Sequence, residues 1–271
     1  MTRSHFSDSL WEMTARNPQP TREERIILGI RFFNGTAERA VELAGQGGLV
    51  VCPSAPVLLA MMEDAETRRA LMECRLALTD SGLMVLLWNL YQGDSVRRLS
   101  GLEYLERLLR EPGFAQSGVS FWIMPNAEVL EKSRAWLRQQ GLAVAAADFY
   151  LAPIYPAGPI TDEELLRRLR AAGPRHVFLA LGGGTQERLG AYLQRNLPAA
   201  TAIHCIGAAI GFLSGAQVRI PMWADRARLG WFLRCLSAPR IFLPRYARAL
   251  RLVPVLWRYR EQLPVETKDR L

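Results

Sequence analysis

The chain has 271 residues, of which 49% are hydrophobic and 22% are charged, a balance that is typical of a globular protein and excludes wholesale disorder. No apolar run approaches the roughly 20 residues that a membrane span needs, and the first twenty residues lack the apolar core of a signal peptide. The four cysteines show no CxxC spacing, so we expect reduced thiols in a cytosolic protein. The three histidines lie too far apart in the sequence to indicate a His-rich metal site.

The formal net charge of +8 is concentrated in one segment. Residues 217–260 contain ten arginines and a single acid, Asp225, so this segment carries +9 and the rest of the chain −1. A diffuse basic surface would suggest a nucleic-acid partner. A nearly neutral body with a basic C-terminal segment indicates instead that the cations serve one local purpose.

Short apolar runs alternate with amphipathic helical patterns, which predicts βα units around a mainly parallel sheet. In chain order the predicted elements are a helix at 36–46, a strand at 48–51, a helix at 56–74, a strand at 75–78, a helix at 102–110, a strand at 119–123, a helix at 127–140, a strand at 142–147, a helix at 162–172, a strand at 176–181, a helix at 186–196 and a strand at 202–206. Thr161 and Glu164 fit a capping box, and Gly141 and Gly173 fit helix ends.

The alternation of strands and helices stops after Gly215, and we place a domain boundary there. The expected organisation is an N-terminal extension at 1–24, an α/β core at 25–215 and a helical, basic C-terminal appendage at 216–271. For the core we predict a Rossmann-like, mainly parallel sheet with helices on both faces.

The loops after the predicted strands are where a ligand site is expected, because open α/β sheets bind ligands beyond the carboxyl ends of their strands. Asp80 follows the strand at 75–78 and precedes Gly82. A carboxylate on such a turn could act as a general base toward a hydroxyl. The alternative is an Asx turn, in which Asp80 only satisfies neighbouring backbone N–H groups.

Gly182, Gly183 and Gly184 follow the strand at 176–181, and Thr185 can cap the next helix. Glycines allow close backbone approach, and a helix N-terminus offers N–H groups to a diphosphate. An ordinary strand-to-helix turn is an equal alternative, because the run matches neither GxGxxG nor a Walker A loop. The chain has no DxD pair for a metal-bridged diphosphate, so we predict no metal and no cofactor, with arginines neutralising such a ligand.

The basic segment allows two interpretations. Arg245, Arg248 and Arg251 recur every three residues, so a helix would gather them on one side. The apolar residues beside them are Ile241, Phe242, Leu250, Leu252, Val253, Val255, Leu256 and Trp257. Such a segment could lie on anionic lipid, or it could form a helical lid that packs on the core with solvated arginines.

Several segments occur in a characteristic order along the chain. They are Thr79-Asp80-Ser81-Gly82, Arg98-Leu99-Ser100-Gly101, Gly182-x-x-x-Gln186-Glu187, Ile206-Gly207-Ala208-Ala209, Phe212-x-Ser214-Gly215, Arg219-x-Pro221-x-Trp223, Leu229-x-Trp231-x-x-Arg234, Pro239-Arg240 and Arg245-Tyr246. Over about residues 25–250 this ordered set resembles the WecG/TagA/CpsF glycosyltransferase family.

The resemblance implies inverting, metal-independent transfer of a sugar from a nucleotide diphosphate donor, with UDP as the expected nucleotide. The implied acceptor is a polyprenyl-diphosphate-linked sugar, and the implied process is synthesis of bacterial exopolysaccharide or cell-surface glycans. The resemblance also implies a cytoplasmic protein held peripherally on the inner face of the membrane. A homo-oligomer is a further expectation, and no nucleic acid is expected as a partner.

The residue pattern and the resemblance together assign roles to individual residues. Asp80 takes the place of the catalytic base, with Arg98 in the same pocket. The donor and its diphosphate are assigned to Gly182, Gly183, Gly184, Gln186, Arg234 and Arg240. The acceptor side is assigned to Cys52, Ser54 and Thr79. Membrane contact and closure over the site are assigned to Arg245, Arg248, Arg251 and Trp257.

The chain departs from the family pattern at several positions. Cys52-Pro53-Ser54 replaces Thr-Pro-Asn, Met124-Pro125 replaces two glycines, Gly184 replaces a proline, Gly211 an aspartate, and Gly230 and Ala238 two glutamates. These changes favour a rival hypothesis, a non-catalytic nucleotide-sugar-binding or scaffold protein on a diverged glycosyltransferase fold. A nucleic-acid patch is a third hypothesis, disfavoured because bulky aliphatic residues interleave the arginines.

Overall fold

The computed structural model describes residue 21 and residues 23–217, 240, 244 and 247–266. Eight strands form one sheet in the order β1-β2-β4-β3-β8-β7-β5-β6. The strands are β1 (Glu24–Ile27), β2 (Ile30–Phe33), β3 (Gly48–Val51), β4 (Leu76–Leu78), β5 (Ser120–Met124), β6 (Phe149–Leu151), β7 (His176–Leu179) and β8 (Ala202–Cys205). β2 to β8 are parallel, and only the edge strand β1 is antiparallel to its neighbour. The predicted mainly parallel α/β sheet is therefore confirmed.

Helices cover both faces of the sheet, as predicted. Within the described residues they are α1 (Ala37–Ala44), α2 (Ala55–Ala60), α3 (Ala65–Glu73), α4 (Gly82–Gln92), α5 (Gly101–Leu108), α6 (Ala127–Gln139), α7 (Glu163–Ala172), α8 (Thr185–Asn196), α9 (Ala209–Ser214) and α10 (Leu252–Tyr259). Successive side chains of a strand point to opposite faces. In β3, Leu49 and Val51 therefore enter a core covered by α2, α3, α4, α7, α8 and α10, whereas Val50 enters one covered by α1, α5, α6 and α9.

Two predicted elements are wrong in detail. The predicted strand at 142–147 is instead an irregular segment with a 3₁₀ turn, and β6 begins only at Phe149, which pairs with Trp122. The apolar residues of that segment pack on α6 without sheet pairing. The predicted helix at 56–74 is two helices, because Asp64 caps a new helix by accepting a hydrogen bond from the Glu66 N–H at 3.1 Å.

The start of α7 also differs from the prediction. Thr161 and Glu164 form no capping box, since the N-cap is Asp162, whose carboxylate accepts from the Leu165 N–H at 2.9 Å. The predicted helix ends at Gly141 and Gly173 are confirmed, with φ of +81° and +57°. Glycine suits both positions because side chains penalise this left-handed backbone region.

The hairpin of β1 and β2 was not predicted, and it is held by the C-terminal segment. Its two turn residues, Leu28 and Gly29, have φ of +52° and +77°, as tight hairpin turns of type I′ require. Their N–H groups donate to the backbone oxygens of Arg260 at 2.7 Å and Glu261 at 2.9 Å. The backbone that follows α10 therefore holds the N-terminal hairpin in place.

Three polar side chains form a hydrogen-bonded series in the core that is covered by α1, α5, α6 and α9. The Tyr104 hydroxyl lies 2.9 Å from Nδ1 of His204, and Nε2 of His204 lies 3.0 Å from Nδ1 of His176. Burial lowers the pKa of both imidazoles, to about 4 for His176. Both rings are therefore neutral at neutral pH, where one nitrogen of each ring donates and the other accepts.

We expect this pair to make folding sensitive to acid. The unfolded chain takes up protons on histidine near pH 6.5, whereas folded His176 does so only near pH 4. Stability is therefore lost as the pH falls between these values, by about 3 kcal/mol for His176 alone. In His176→Asn, whose amide still reaches His204 but does not titrate, urea unfolding between pH 7 and pH 4 should show a shallower loss. An unchanged pH slope would contradict this assignment.

Candidate active site

The loops after four neighbouring strands, β4, β3, β8 and β7, come together at the carboxyl edge of the sheet. The Gly207 N–H, after β8, donates to Oε1 of Gln186, at the start of α8, at 2.8 Å. The Gly101 N–H, at the start of α5, donates to Asp80, after β4, at 3.1 Å. These bonds fix the relative positions of loops that come from distant parts of the chain. The loop after β8 is thus joined to the start of α8, and the loop after β4 to the start of α5.

Asp80 is held by groups from the segment that precedes α5. Its Oδ1 accepts from the Gly101 N–H, 21 residues away, and its backbone oxygen accepts from Nε of Arg98 at 2.9 Å. Nη2 of Arg98 lies 3.7 Å from Oδ1, and the Asp80 side chain is 27% exposed. The carboxylate is thus oriented and still accessible. The cap of α4 is Ser81, whose hydroxyl accepts from the Met84 N–H, so Asp80 does not cap the helix that follows it.

Thr79 has a different environment from the one expected on the acceptor side. It is fully buried, and its hydroxyl donates to the Arg97 backbone oxygen at 2.7 Å and accepts from the Leu99 N–H at 3.0 Å. With both hydrogen bonds made to the backbone and no exposed surface, the Thr79 hydroxyl faces no cleft in this structure. Thr79 instead holds the backbone on both sides of Arg98, and through Arg98 it positions Asp80.

A buried carboxyl group occupies the N-terminus of α8, where the sequence suggested a diphosphate. Oε2 of Glu187 accepts from the Gly184 N–H at 2.6 Å, and Oε1 accepts from Nε2 of Gln186 at 2.9 Å. Glu187 has no exposed surface, and burial raises its pKa. The Gly184 N–H is therefore already satisfied within the protein. Gln186 is 4% exposed and braces the loop after β8.

Beside this glycine loop lies a cleft of about 490 Å³, a volume in the range of small-molecule sites. Its lining residues are Ser54, Pro56, Val57, Gly183, Arg240, Pro244 and Arg248. The structure thus brings together one residue predicted for the acceptor side (Ser54), two for the donor (Gly183 and Arg240) and one for the lid (Arg248). Arg240 and Arg248 are exposed, so their charges are available to an anion in the cleft.

Several other predicted residues do not line this cleft. Arg251 lies 3.6 Å from Glu63 and lines a smaller groove of about 200 Å³. Trp257 packs against Tyr91 in a T-shaped pair, with ring centroids 5.1 Å apart. Arg234 and Arg245 lie outside the described residues.

Cys52, Cys74 and Cys205 are free thiols, and Cys52 lies near the site. It is 8% exposed. Burial raises the pKa of its thiol well above the ordinary value, and the nearby carboxylates of Asp80 and Glu187 raise it further. The neutral thiol is a poor nucleophile, so Cys52 is a packing residue beside Asp80 at neutral pH.

Gly183 and Gly182 offer a matched test of the cleft. A β-carbon on Gly183 would lie 2.5 Å from Cγ2 of Val57, whereas one on Gly182 meets nothing within 4 Å. Because Val57 is buried in α2, Gly183→Ala must displace the cleft wall. We expect Gly183→Ala to weaken UDP binding at least several-fold and Gly182→Ala to leave it unchanged, as measured by calorimetry. Equal affinities would show that UDP binds elsewhere.

Two kinds of feature are absent from the described ranges of the chain. No group of three His, Cys, Asp or Glu side chains there is arranged to hold a metal ion. In the same residues, no helix is long and apolar enough to cross a bilayer.

A match to a known protein family spans the site and the C-terminal segment. Residues 25–268 match the Glycosyl transferase WecG/TagA/CpsF family. This range includes the strand-end loops, the arginines of the cleft and α10. The chain therefore belongs to the WecG/TagA/CpsF family of glycosyltransferases.

Proposed function

We propose that this glycosyltransferase moves a sugar from a nucleotide diphosphate donor, with UDP as the nucleotide, to a polyprenyl-diphosphate-linked sugar. The transfer inverts the anomeric configuration and uses no metal. The observation that carries this proposal is the Asp80 carboxylate, which is oriented by the Gly101 N–H and Arg98 and remains accessible at the carboxyl edge of the sheet. Because the acceptor is lipid-linked, the enzyme works on the inner face of the membrane as a peripheral protein.

In the proposed reaction Asp80 is the general base. The acceptor hydroxyl oxygen attacks the anomeric carbon from the side opposite the nucleotide, and its proton passes to Asp80. The bond from the anomeric carbon to the diphosphate oxygen breaks as the new glycosidic bond forms, and the nucleotide diphosphate leaves with the bonding electrons. The Gly101 N–H fixes Oδ1 at 3.1 Å, which limits the orientations available to the carboxylate.

The departing diphosphate is stabilised by arginines in this proposal. The Gly184 N–H is committed to Glu187, and a carboxyl group at the start of α8 does not favour an anion there. Arg240 and Arg248 line the cleft together with Gly183. Guanidinium groups bind phosphate oxygens through paired hydrogen bonds. The glycine loop therefore provides space for the donor, and the arginines provide charge.

The non-catalytic alternative rests on departures from the family pattern. Gly211 lies in α9, where a β-carbon would meet the Gln217 side chain at 3.2 Å, and Gly211 does not line the cleft. Gly230 and Ala238 lie outside the described residues. Asp80 is held by the Gly101 N–H and Arg98 and remains accessible, and this arrangement supports an active enzyme.

Binding of UDP tests the role of the arginines. Arg240→Gln combined with Arg248→Gln should weaken UDP binding at least tenfold, because both charges leave the cleft. Arg195→Gln combined with Arg258→Gln is the matched control, since both side chains are exposed and neither lines the cleft. Calorimetry should show a near-normal Kd for the control. Equal loss in both variants would indicate a general charge effect and remove the arginines from the donor site.

A further inference from the structure

The segment that carries Arg98 is held by side chains instead of by regular secondary structure. Residues 93–100 form neither helix nor strand, so the backbone groups that this segment buries need other hydrogen-bond partners. We call residues 96–101 the Arg98 segment. Both groups that orient Asp80, the Arg98 guanidinium and the Gly101 N–H, belong to it. The way in which this segment is fixed therefore decides how the carboxylate is presented.

Asn89 of α4 binds the backbone of the Arg98 segment at two points. Its Nδ2 donates to the Val96 backbone oxygen at 3.0 Å, and its Oδ1 accepts from the Val96 N–H at 2.8 Å. The amide of asparagine offers a donor and an acceptor together, so it takes the place of the partner that a neighbouring strand would supply. Val96 is 2% exposed, so water has little access to the same two groups.

Two side chains from neighbouring strand ends also bind the Arg98 segment. Oδ1 of Asn34, directly after β2, accepts from the Arg97 N–H at 2.8 Å. The Thr79 hydroxyl, directly after β4, bonds the Arg97 backbone oxygen and the Leu99 N–H. β2 and β4 are parallel neighbours in the sheet. The sheet and α4 therefore grip the same short stretch of backbone, on both sides of Arg98.

Helix α4 connects this grip to the candidate base. The helix begins directly after Asp80, with Ser81 as its cap, and Asn89 lies in its second half. Asp80 and the Asn89 amide are therefore attached to one rigid element, and a segment bound to Asn89 is set at a fixed position relative to Asp80. Support of this kind limits the orientations that a reacting group can adopt.

We propose that Asn89 and Asn34 are positioning residues for the base, which act on Asp80 through the Arg98 segment. This inference rests on the proposed function, in which Asp80 takes the proton of the acceptor hydroxyl. Removal of the Asn89 amide leaves two buried backbone groups without their partners. The segment then shifts to satisfy them and carries the Arg98 guanidinium and the Gly101 N–H with it. UDP binding is spared, because neither asparagine lines the cleft.

Turnover measured with and without the base tests the proposal. Asn89→Ala should lower the single-turnover rate about 10–100-fold and leave the Kd of UDP near normal. In an Asp80→Asn background the same change should lower the rate less than about threefold, because no base is left to orient. A merely structural defect would lower both rates by the same factor. Asn34→Ala removes one hydrogen bond instead of two, so it repeats the test in a milder form should Asn89→Ala not fold.

Asn196→Ala is the matched control for both variants. The Asn196 amide donates to the Tyr192 backbone oxygen at 2.8 Å in the last turn of α8. This helix joins β7 to the parallel strand β8, so it ends at the edge of the sheet opposite to the site. The control loses a comparable hydrogen bond there and should leave the rate unchanged in both backgrounds.

Amide hydrogen exchange separates this proposal from the proposed function. Because the Gly101 N–H donates to Asp80, its exchange relative to the amides of β5 should be about tenfold faster in Asn89→Ala and Asn34→Ala, and unchanged in Asn196→Ala. Unchanged Gly101 exchange, or an equal loss of rate with and without the base, would overturn the positioning role. If the wild type transfers no sugar, the proposed function fails, and Gly101 exchange alone decides whether the asparagines position Asp80.

Discussion

Asp80→Asn is expected to lower kcat by about 10²–10⁴-fold, the usual contribution of a general base, and to leave UDP binding near normal. The amide oxygen of asparagine can still accept from the Gly101 N–H, which holds Oδ1 at 3.1 Å in the wild type. The loop should therefore keep its shape while the side chain loses the ability to take a proton. Single-turnover rates and UDP titration on the same preparation measure the two quantities separately.

Asp148→Asn is the matched control for this variant. Asp148 accepts from the Ala145 N–H in an exposed turn before β6, so its replacement changes the net charge equally without touching the site. It should retain wild-type turnover. If Asp80→Asn also turned over at a near-normal rate, Asp80 would not be the base.

Leu256→Ala is expected to destabilise the protein by about 2–5 kcal/mol, as buried leucine truncations do. Leu256 is 1% exposed and belongs to the same core as the central strands. Leu250→Ala makes the same chemical change at a side chain that is 60% exposed, and it should cost less than about 0.5 kcal/mol. Urea unfolding of both variants compares them directly, and equal costs would show that α10 is not part of the core.

The expected cost of Leu256→Ala bears on how the basic C-terminal appendage is attached to the core. α10 packs on α4, and the residues after it bind the β1–β2 turn and Arg68, whose Nη1 donates to the Pro264 oxygen at 2.6 Å. The described part of the appendage therefore follows the lid interpretation more closely than that of a separate lipid-lying segment. The boundary at Gly215 stays a prediction. Truncation there would remove part of the core, so point variants are the better probes of membrane contact.

The sequence identified Asp80 because a polar residue directly after a buried strand falls at the carboxyl edge of a parallel sheet. It did not identify the Gly101 N–H as the partner of Asp80, since backbone contacts across 21 residues depend on how the loop before α5 folds back. Glu187 belongs to one of the segments that carry the family resemblance, but that resemblance does not give its role as a cap. Glu187 lies three residues after Gly184, the N-cap of α8, which is the spacing of a capping box. This spacing could have predicted that its carboxylate accepts from the Gly184 N–H.

The secondary-structure errors have similar causes. Asp64 divides a long helical pattern into α2 and α3 through a local cap, and such side-chain competition is weakly encoded in hydrophobic periodicity. α4 is apolar on almost every side, so it has little amphipathic pattern to reveal it.

The most direct test of the account is the stereochemistry of transfer. The enzyme is incubated with a panel of UDP-sugars and a short-chain polyprenyl-diphosphate-linked sugar, in the presence of EDTA, and the product is examined by NMR. We expect one donor to give a new glycosidic bond of inverted anomeric configuration with equimolar UDP. A product of retained configuration, or transfer that stops with EDTA and returns with a divalent cation, would contradict base catalysis by Asp80 with arginine-stabilised departure of the diphosphate.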